Sequence, residues 1–137
     1  MSIVTIQKGD MTYALVVRPK DMKVEKTQFY TSNEATLQVG MIAHRGGYIE
    51  KPHYHRENKR TITGTWETLH VTKGIVAVDF FDPNGKKFKS VKLNKGDLIL
   101  LMDGVHRIRV IKSFAGMKVK QGPYISLEMD KVNVDER

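Results

Sequence analysis

Cysteine is absent from the 137 residues. That excludes disulfides, thiolate nucleophiles and thiolate metal sites together, and leaves His, Asp and Glu as the strong candidate ligands. No apolar run approaches the roughly 20 residues that cross a bilayer. The amino terminus lacks the charged and apolar regions of a secretion signal. The expectation is a soluble cytoplasmic protein with no membrane partner. Internal repeats, low-complexity tracts and linkers are missing too, and no segment of helical length carries a clean apolar stripe.

What is present is ordinary for a globular chain: 40% hydrophobic and 28% charged residues, in a length that suits one domain with a real core. The formal net charge of +8 raises the question of an anionic partner. The lysines, however, are dispersed. In "KKFKSVKLNK" (86–95) they interleave with Phe88, Val91 and Leu93, and in "MKVKQ" (117–121) Lys118 and Lys120 alternate with Met117 and Val119. Such alternation reads as the solvent face of strands, here with Met117, Val119 and Gln121 inward. No basic helix or RNA-recognition sheet signature accompanies it, so no nucleic-acid partner is expected.

Period-two and β-branched segments recur along the chain with turn signals between them, which predicts an all-β fold, a sandwich or small barrel. The expected strands are 2–7, 12–18, 26–31, 36–44, 51–55, 65–74, 75–81, 87–93, 97–102, 106–111 and 117–122. "DPNG" (82–85) is the strongest turn. The polar "DKVNVDER" tail (130–137) is expected to fray or lie on the surface.

The stretch "EKPHYHRENKRTITGTWETLH" (50–70) carries the chemistry. In a strand, residues two apart share a face, so His53 and His55 project together. In the next strand Glu67 shares its face with Leu69 and Val71, while Trp66, Thr68 and His70 point the other way. A carboxylate aimed where apolar side chains are aimed needs a partner, because burying it alone costs several kcal/mol or more. His106 shares a face with Ile108 and Val110 and is also expected inward. His44 and His70 are not expected to be ligands.

These intervals resemble the first motif of the cupin superfamily: a glycine, five residues, HxH, a gap, a glutamate, six residues and a glycine. Gly47, His53, His55, Glu67 and Gly74 fit every interval except the gap, which here holds the eleven residues "RENKRTITGTW". "GDLILLMDGVH" (96–106) resembles the second motif, with Met102 in the usual proline position and one residue fewer before His106. "VKQGPY" (119–124) is similar to the close of small bacterial cupins associated with surface-polysaccharide pathways. The resemblance implies a single domain over 1–137 with its motif core at about 47–110. The fold would be a double-stranded β-helix, the cupin jelly-roll barrel. It further implies one divalent metal ion, Fe, Mn, Ni, Zn or Cu, held by His53, His55, Glu67 and His106.

Cupins host isomerases, epimerases, dioxygenases and non-catalytic binders. The first expectation is a metal-dependent enzyme that isomerises or epimerises a small polar, anionic, carbohydrate-like ligand. The alternatives are a metal-stabilised binding protein without catalysis and a metal-free sugar ketoisomerase or epimerase with a histidine base and a tyrosine acid. A cupin dioxygenase ranks below these. His53, Gln121 and Tyr124 are the catalytic candidates. Arg56, Lys59 and Arg60, in the inserted gap, are candidates for binding an anion. "DLILLM" runs apolar without alternation, as if covered on both faces, which points to a homodimer. "SIVTIQ" is a possible exchanged strand.

Overall fold

The structure is a computed structural model that describes residues 3–137. Ser2, at the start of the first expected strand, lies outside the described residues. Among those residues the chain is mostly β, with antiparallel pairing throughout. The strands are β1 (Val4–Lys8), β2 (Met11–Val17), β3 (Gln28–Phe29), β4 (Gly40–Met41), β5 (Glu67–Phe81), β6 (Lys87–Leu93), β7 (Leu98–Leu101) and β8 (Val105–Lys120). A 3-10 turn at Pro19–Met22 and a single helical turn α1 (Leu127–Asp130) complete the regular elements. The main sheet runs β1-β2-β7-β5-β6, with β8 on the other edge of β5, while β3 and β4 form a separate ribbon.

The architecture turns on β5. Its first residues, Glu67 to His70, pair with β7, and Val76 to Phe81 pair with β6. β8 follows its whole length, with register shifts between Val71 and Val76. Gly74 sits in that bend at φ +80°, and a Cβ there would meet the carbonyl oxygen of Lys112 at 2.6 Å. Glycine is the residue that permits both the dihedral and the approach. Four expected strands therefore become two long bent ones: 65–74 joins 75–81, and 106–111 joins 117–122. The bulges carry the ladder across residues that read in sequence as breaks.

The bend sets two halves facing each other. One continuous row crosses the first half: Ile6, Ala14, Leu101, Glu67 and Lys120 lie opposite one another in register. Val76, Val78 and Phe80 supply the facing layer with Val91 and Leu93, and Tyr13 meets Phe80 edge-on at 6.1 Å between ring centroids. Each such side chain contributes about 1.5–3 kcal/mol when fully buried, so this seam holds the halves together. On the opposite face of β5, Asp79 is fully buried and accepts hydrogen bonds from Ser90 (2.5 Å), Arg107 (2.8 Å) and Arg109 (2.6 Å). Those donors hold its carboxyl far below the usual carboxylate range, against the opposing effect of burial.

β7 is buried on both faces inside one chain: Ile99, Leu100 and Leu101 are all inaccessible. The apolar run that pointed to a homodimer is thus satisfied without a partner. β1 pairs with its own β2. In "DPNG" the Asp82 carbonyl accepts from the Gly85 amide at 2.9 Å, and Gly85 alone takes positive φ. The tail is pinned to the surface, with the Arg137 amide donating to the Gly85 carbonyl and Arg107 paired with Glu136 at 2.7 Å.

Two expected strands shrink and one is absent. Segments 26–31 and 36–44 reduce to the β3–β4 ribbon. Beyond it the Gln38 amide serves the Ser32 and Ala35 carbonyls, so side chains replace the ladder. Residues 51–55 are not a strand: Pro52 lacks a donor, and the segment has no neighbouring strand among the described residues. From Ile42 to Trp66 the chain is an irregular, largely exposed arm with a turn at Gly46–Gly47.

Candidate functional site

The four expected ligands fall into two separate pairs. Glu67 opens β5 on the core face, beside Leu69 and Val71, as the alternation predicts, and its side chain is only 12% exposed. His106 lies opposite Phe80 in register, so it too faces the core side, at the mouth between the two halves. Folding brings His106 Nε2 to 3.9 Å from Glu67 Oε1.

The arm holds the other pair. The His53 and His55 rings meet at 5.5 Å, while His53 Nδ1 lies 2.9 Å from the Lys51 carbonyl oxygen and Nε2 lies 3.4 Å from Glu50. Both histidines are exposed. Among the described residues no group of three or more His, Asp or Glu side chains is placed to hold a metal ion. The side chains of one chain, as arranged, therefore do not fit the divalent metal that the motif implies.

Glu67 is instead met by a lysine. Lys118 Nζ lies 3.4 Å from Glu67 Oε1. The register explains why: Lys118 pairs with Leu69 and Lys120 with Glu67, on the core face, whereas Met117 and Val119 pair with His70 and Thr68 on the outer face. The expected inward face of this strand is reversed. A Met-Lys alternation is the same pattern under a one-residue shift, and only the pairing with β5 chooses between the faces.

The result is a cleft of about 590 Å³ whose lining includes Glu67, His106, Lys118, Lys120, Asp103 and Lys131. The tail forms one wall: Lys120 binds Asp130 at 3.1 Å, and residues 129–134 follow it along the opening. Lys131 makes no ion pair among the described residues, so its ammonium is the cation left for an incoming anion. Burial lowers the His106 pKa from its ordinary value, the negative charge of Glu67 works in the opposite direction, and Lys118 and Lys131 reinforce the lowering. With its side chain 32% exposed, water moderates the burial effect, but the imidazole is neutral at pH 7 and has a lone pair to accept a proton.

The remaining candidates lie elsewhere. Gln121 is a structural clamp: its Oε1 accepts from the Trp66 amide at 2.7 Å and its Nε2 donates to Thr36. Tyr124 is exposed, with Lys120 Nζ 5.3 Å from its ring centre. Arg56, Lys59 and Arg60 are exposed on the arm and do not line the cleft. Sequence reasoning missed Lys118, Lys120, Asp130 and Lys131 because their roles depend on register and on the path of the tail. It also missed Asp79, although a lone acid inside "VAVDFF" is itself a signal of a buried, paired carboxylate.

The chain matches no protein-family model, no curated protein and no solved structure.

Proposed function

We propose that the cleft around Glu67 and His106 binds a small anionic, carbohydrate-like metabolite and moves a proton on it, as an isomerase or epimerase does. The observation that carries this reading is the approach of a carboxylate to a neutral imidazole at 3.9 Å inside a lysine-rimmed cavity. A base with a lowered pKa beside a carboxylate, in a concave site, is the arrangement that general acid-base chemistry uses.

Lys131 and Lys118 draw the anionic group, and the substrate carbonyl lies within reach of the Lys118 ammonium. His106 takes a proton from the carbon next to that carbonyl. The C–H electron pair moves into an enolate that Lys118 stabilises, and Glu67 stabilises the imidazolium formed. Delivery of a proton from solvent to the other face, with His106 releasing its own proton to solvent, epimerises the carbon, and return from His106 to the neighbouring carbon, with relocation of the hydroxyl proton, isomerises it. In this reading the cleft His106 replaces His53 as base, and Tyr124 has no part. The antiparallel strands, the motif intervals and the facing halves support assigning the chain to the cupin jelly rolls.

A thermal-shift screen with sugar phosphates, sugar nucleotides and small keto or hydroxy acids supplies the ligand. Proton NMR in D2O then follows its exchangeable C–H. Uptake of deuterium by wild type and a loss of about 10²-fold or more in Glu67→Gln or His106→Asn is expected. Stabilisation by neutral compounds only, or unchanged exchange in both variants, would overturn the reading. Binding without exchange would make the chain a binding protein rather than an enzyme.

A further inference from the structure

Lys120 lies directly across the ladder from Glu67, where an opposite charge is the default partner. Glu67 is met by Lys118 at 3.4 Å instead. The Lys120 ammonium pairs with Asp130, ten residues further along the chain, at 3.1 Å, and lies 5.3 Å from the centre of the Tyr124 ring. A cation in the cleft wall is thus satisfied by the chain's own tail. The Asp130 side chain is only 14% exposed, although Leu127 and Met129 in the same turn are 64% and 72% exposed. The turn sends its carboxylate inward and leaves its apolar side chains in water, the reverse of what burial alone would select. The carboxylate is what docks it.

We propose that Lys120 is an anion subsite of the cleft and that Asp130 is its resident occupant, a carboxylate of the chain itself standing where a phosphate or carboxylate of the ligand goes. This rests on reading the cleft as the functional site. It adds to Lys131 a second cation, one that is occupied until the ligand arrives. The tail thereby gates the cleft, because a ligand reaches Lys120 by displacing Asp130.

The tail is built to let go at one end. From Asp130 to Glu136 it crosses between the two halves of the bent sheet, a reach of at most about 20 Å for six residues. At the far end Glu136 pairs with Arg107 at 2.7 Å and the Arg137 amide donates to the Gly85 carbonyl at 2.8 Å. The Asp135 carbonyl also lies so close over Gly85 that a Cβ there would collide with it. At the near end the pair between Asp130 and Lys120 stands alone among the described residues. In between, no backbone hydrogen bond joins Val132, Asn133 or Val134 to β8 among those residues, and a hollow of about 320 Å³ lies between this stretch, Phe81 and Arg107. α1 is a single turn closed on itself: the Ser126 hydroxyl accepts from the Met129 amide, and the Asp130 and Lys131 amides donate to the Ser126 and Leu127 carbonyls. Among the described residues nothing in it but Asp130 makes a hydrogen bond or ion pair to the body. One partly exposed ion pair is weak enough for the anion of a ligand to replace it.

Binding of inorganic phosphate, followed by 31P NMR at fixed pH and at an ionic strength held constant with sodium chloride, tests the subsite without a substrate. Asp130→Asn is expected to bind phosphate about three- to five-fold more tightly than wild type, since a site blocked part of the time loses affinity in proportion. Glu128→Gln removes the same charge from the same turn, at an exposed position that makes no ion pair among the described residues, and is expected to bind as wild type does. The gain should disappear in Asp130→Asn/Lys120→Gln. Backbone 15N order parameters of residues 127–131 should fall in Asp130→Asn from about 0.85 to below about 0.6. Phosphate that binds none of these proteins, equal affinity in Asp130→Asn and wild type, an equal gain in Glu128→Gln or a gain that survives Lys120→Gln would overturn the subsite. A turn that stays as rigid in Asp130→Asn as in wild type would overturn the gate. Asp130→Asn keeps Glu67, His106 and Lys118, so deuterium uptake by a substrate reports separately on the acid-base reading. A phosphate gain without uptake supports the subsite as that of a binding protein and strikes the chemistry.

Discussion

Val78 and Ile49 are both β-branched aliphatic residues, yet one is wholly inaccessible and the other is 88% exposed. The difference lies in what surrounds them. Val78 has a strand on each side, opposite Val91 of β6 and Ile108 of β8, and a facing layer beneath it. Ile49 stands in an arm whose backbone has no ladder. The body from Val4 to Lys120, apart from the arm, satisfies its own residues. The arm carries apolar and imidazole side chains that its own chain leaves unused.

The sharpest way to break this contrast is to injure the body. Phe80→Ala should cost about 3–5 kcal/mol, read as a lower midpoint in urea, because the ring is fully buried against Tyr13. A loss under about 1 kcal/mol would mean the two halves do not share a core. Asp79→Asn should cost about 3 kcal/mol. That is the low end for breaking a buried ion pair, since the Arg107 and Arg109 side chains are 38% and 46% exposed and water takes over part of their solvation. The same carboxylate gives an acid limb. Its folded pKa is depressed, so its contribution is present in full above the ordinary aspartate value and is lost as pH falls below that value toward the folded one. Stability of the Asp79→Asn protein should be flatter than wild type in that window.

A smaller effect is expected at the cleft. The folded pKa of His106 is lowered, so the unfolded chain binds the proton more readily. Stability should therefore fall as pH drops through the ordinary histidine value toward the folded one, and His106→Asn should remove that dependence. A histidine limb that persists in the variant would place the titrating group elsewhere. Lys131→Ala should weaken binding of a phosphorylated ligand several-fold, with the loss shrinking at high salt, while leaving the melting temperature of the free protein within about a degree. Equal affinity in the variant would remove Lys131 from the site. The smallest effect belongs to the arm. Arg56→Ala with Arg60→Ala should change unfolding free energy by less than about 0.5 kcal/mol, as for exposed positions generally. A larger loss would give these side chains partners within the folded state.

Much of the body was legible because alternation is a local signal. The inward faces of Glu67 with Leu69 and Val71, and of His106 with Ile108, follow from period two and agree with the structure, whereas Val110, expected on the same face, is 59% exposed. The strands flanking "DPNG" follow from their turn. Three things could not be read this way. The bend at Gly74 looks in sequence like the end of one strand and the start of another. The inward lysines depend on a register fixed by β5. The state of residues 51–55 depends on whether a neighbouring strand exists, which a strand-like sequence does not specify. His53 and His55 were identified by spacing, but spacing within a segment places two side chains on one face without saying what that face meets.

Amide hydrogen exchange of the wild-type protein at micromolar concentration tests the contrast between body and arm most directly. The account predicts slow exchange across β5, whose amides are paired with β7, β6 and β8, and exchange close to that of an unstructured peptide in the arm from Ile49 to His55, whose backbone is exposed and has no ladder. Arm amides as slow as those of β5 would contradict it.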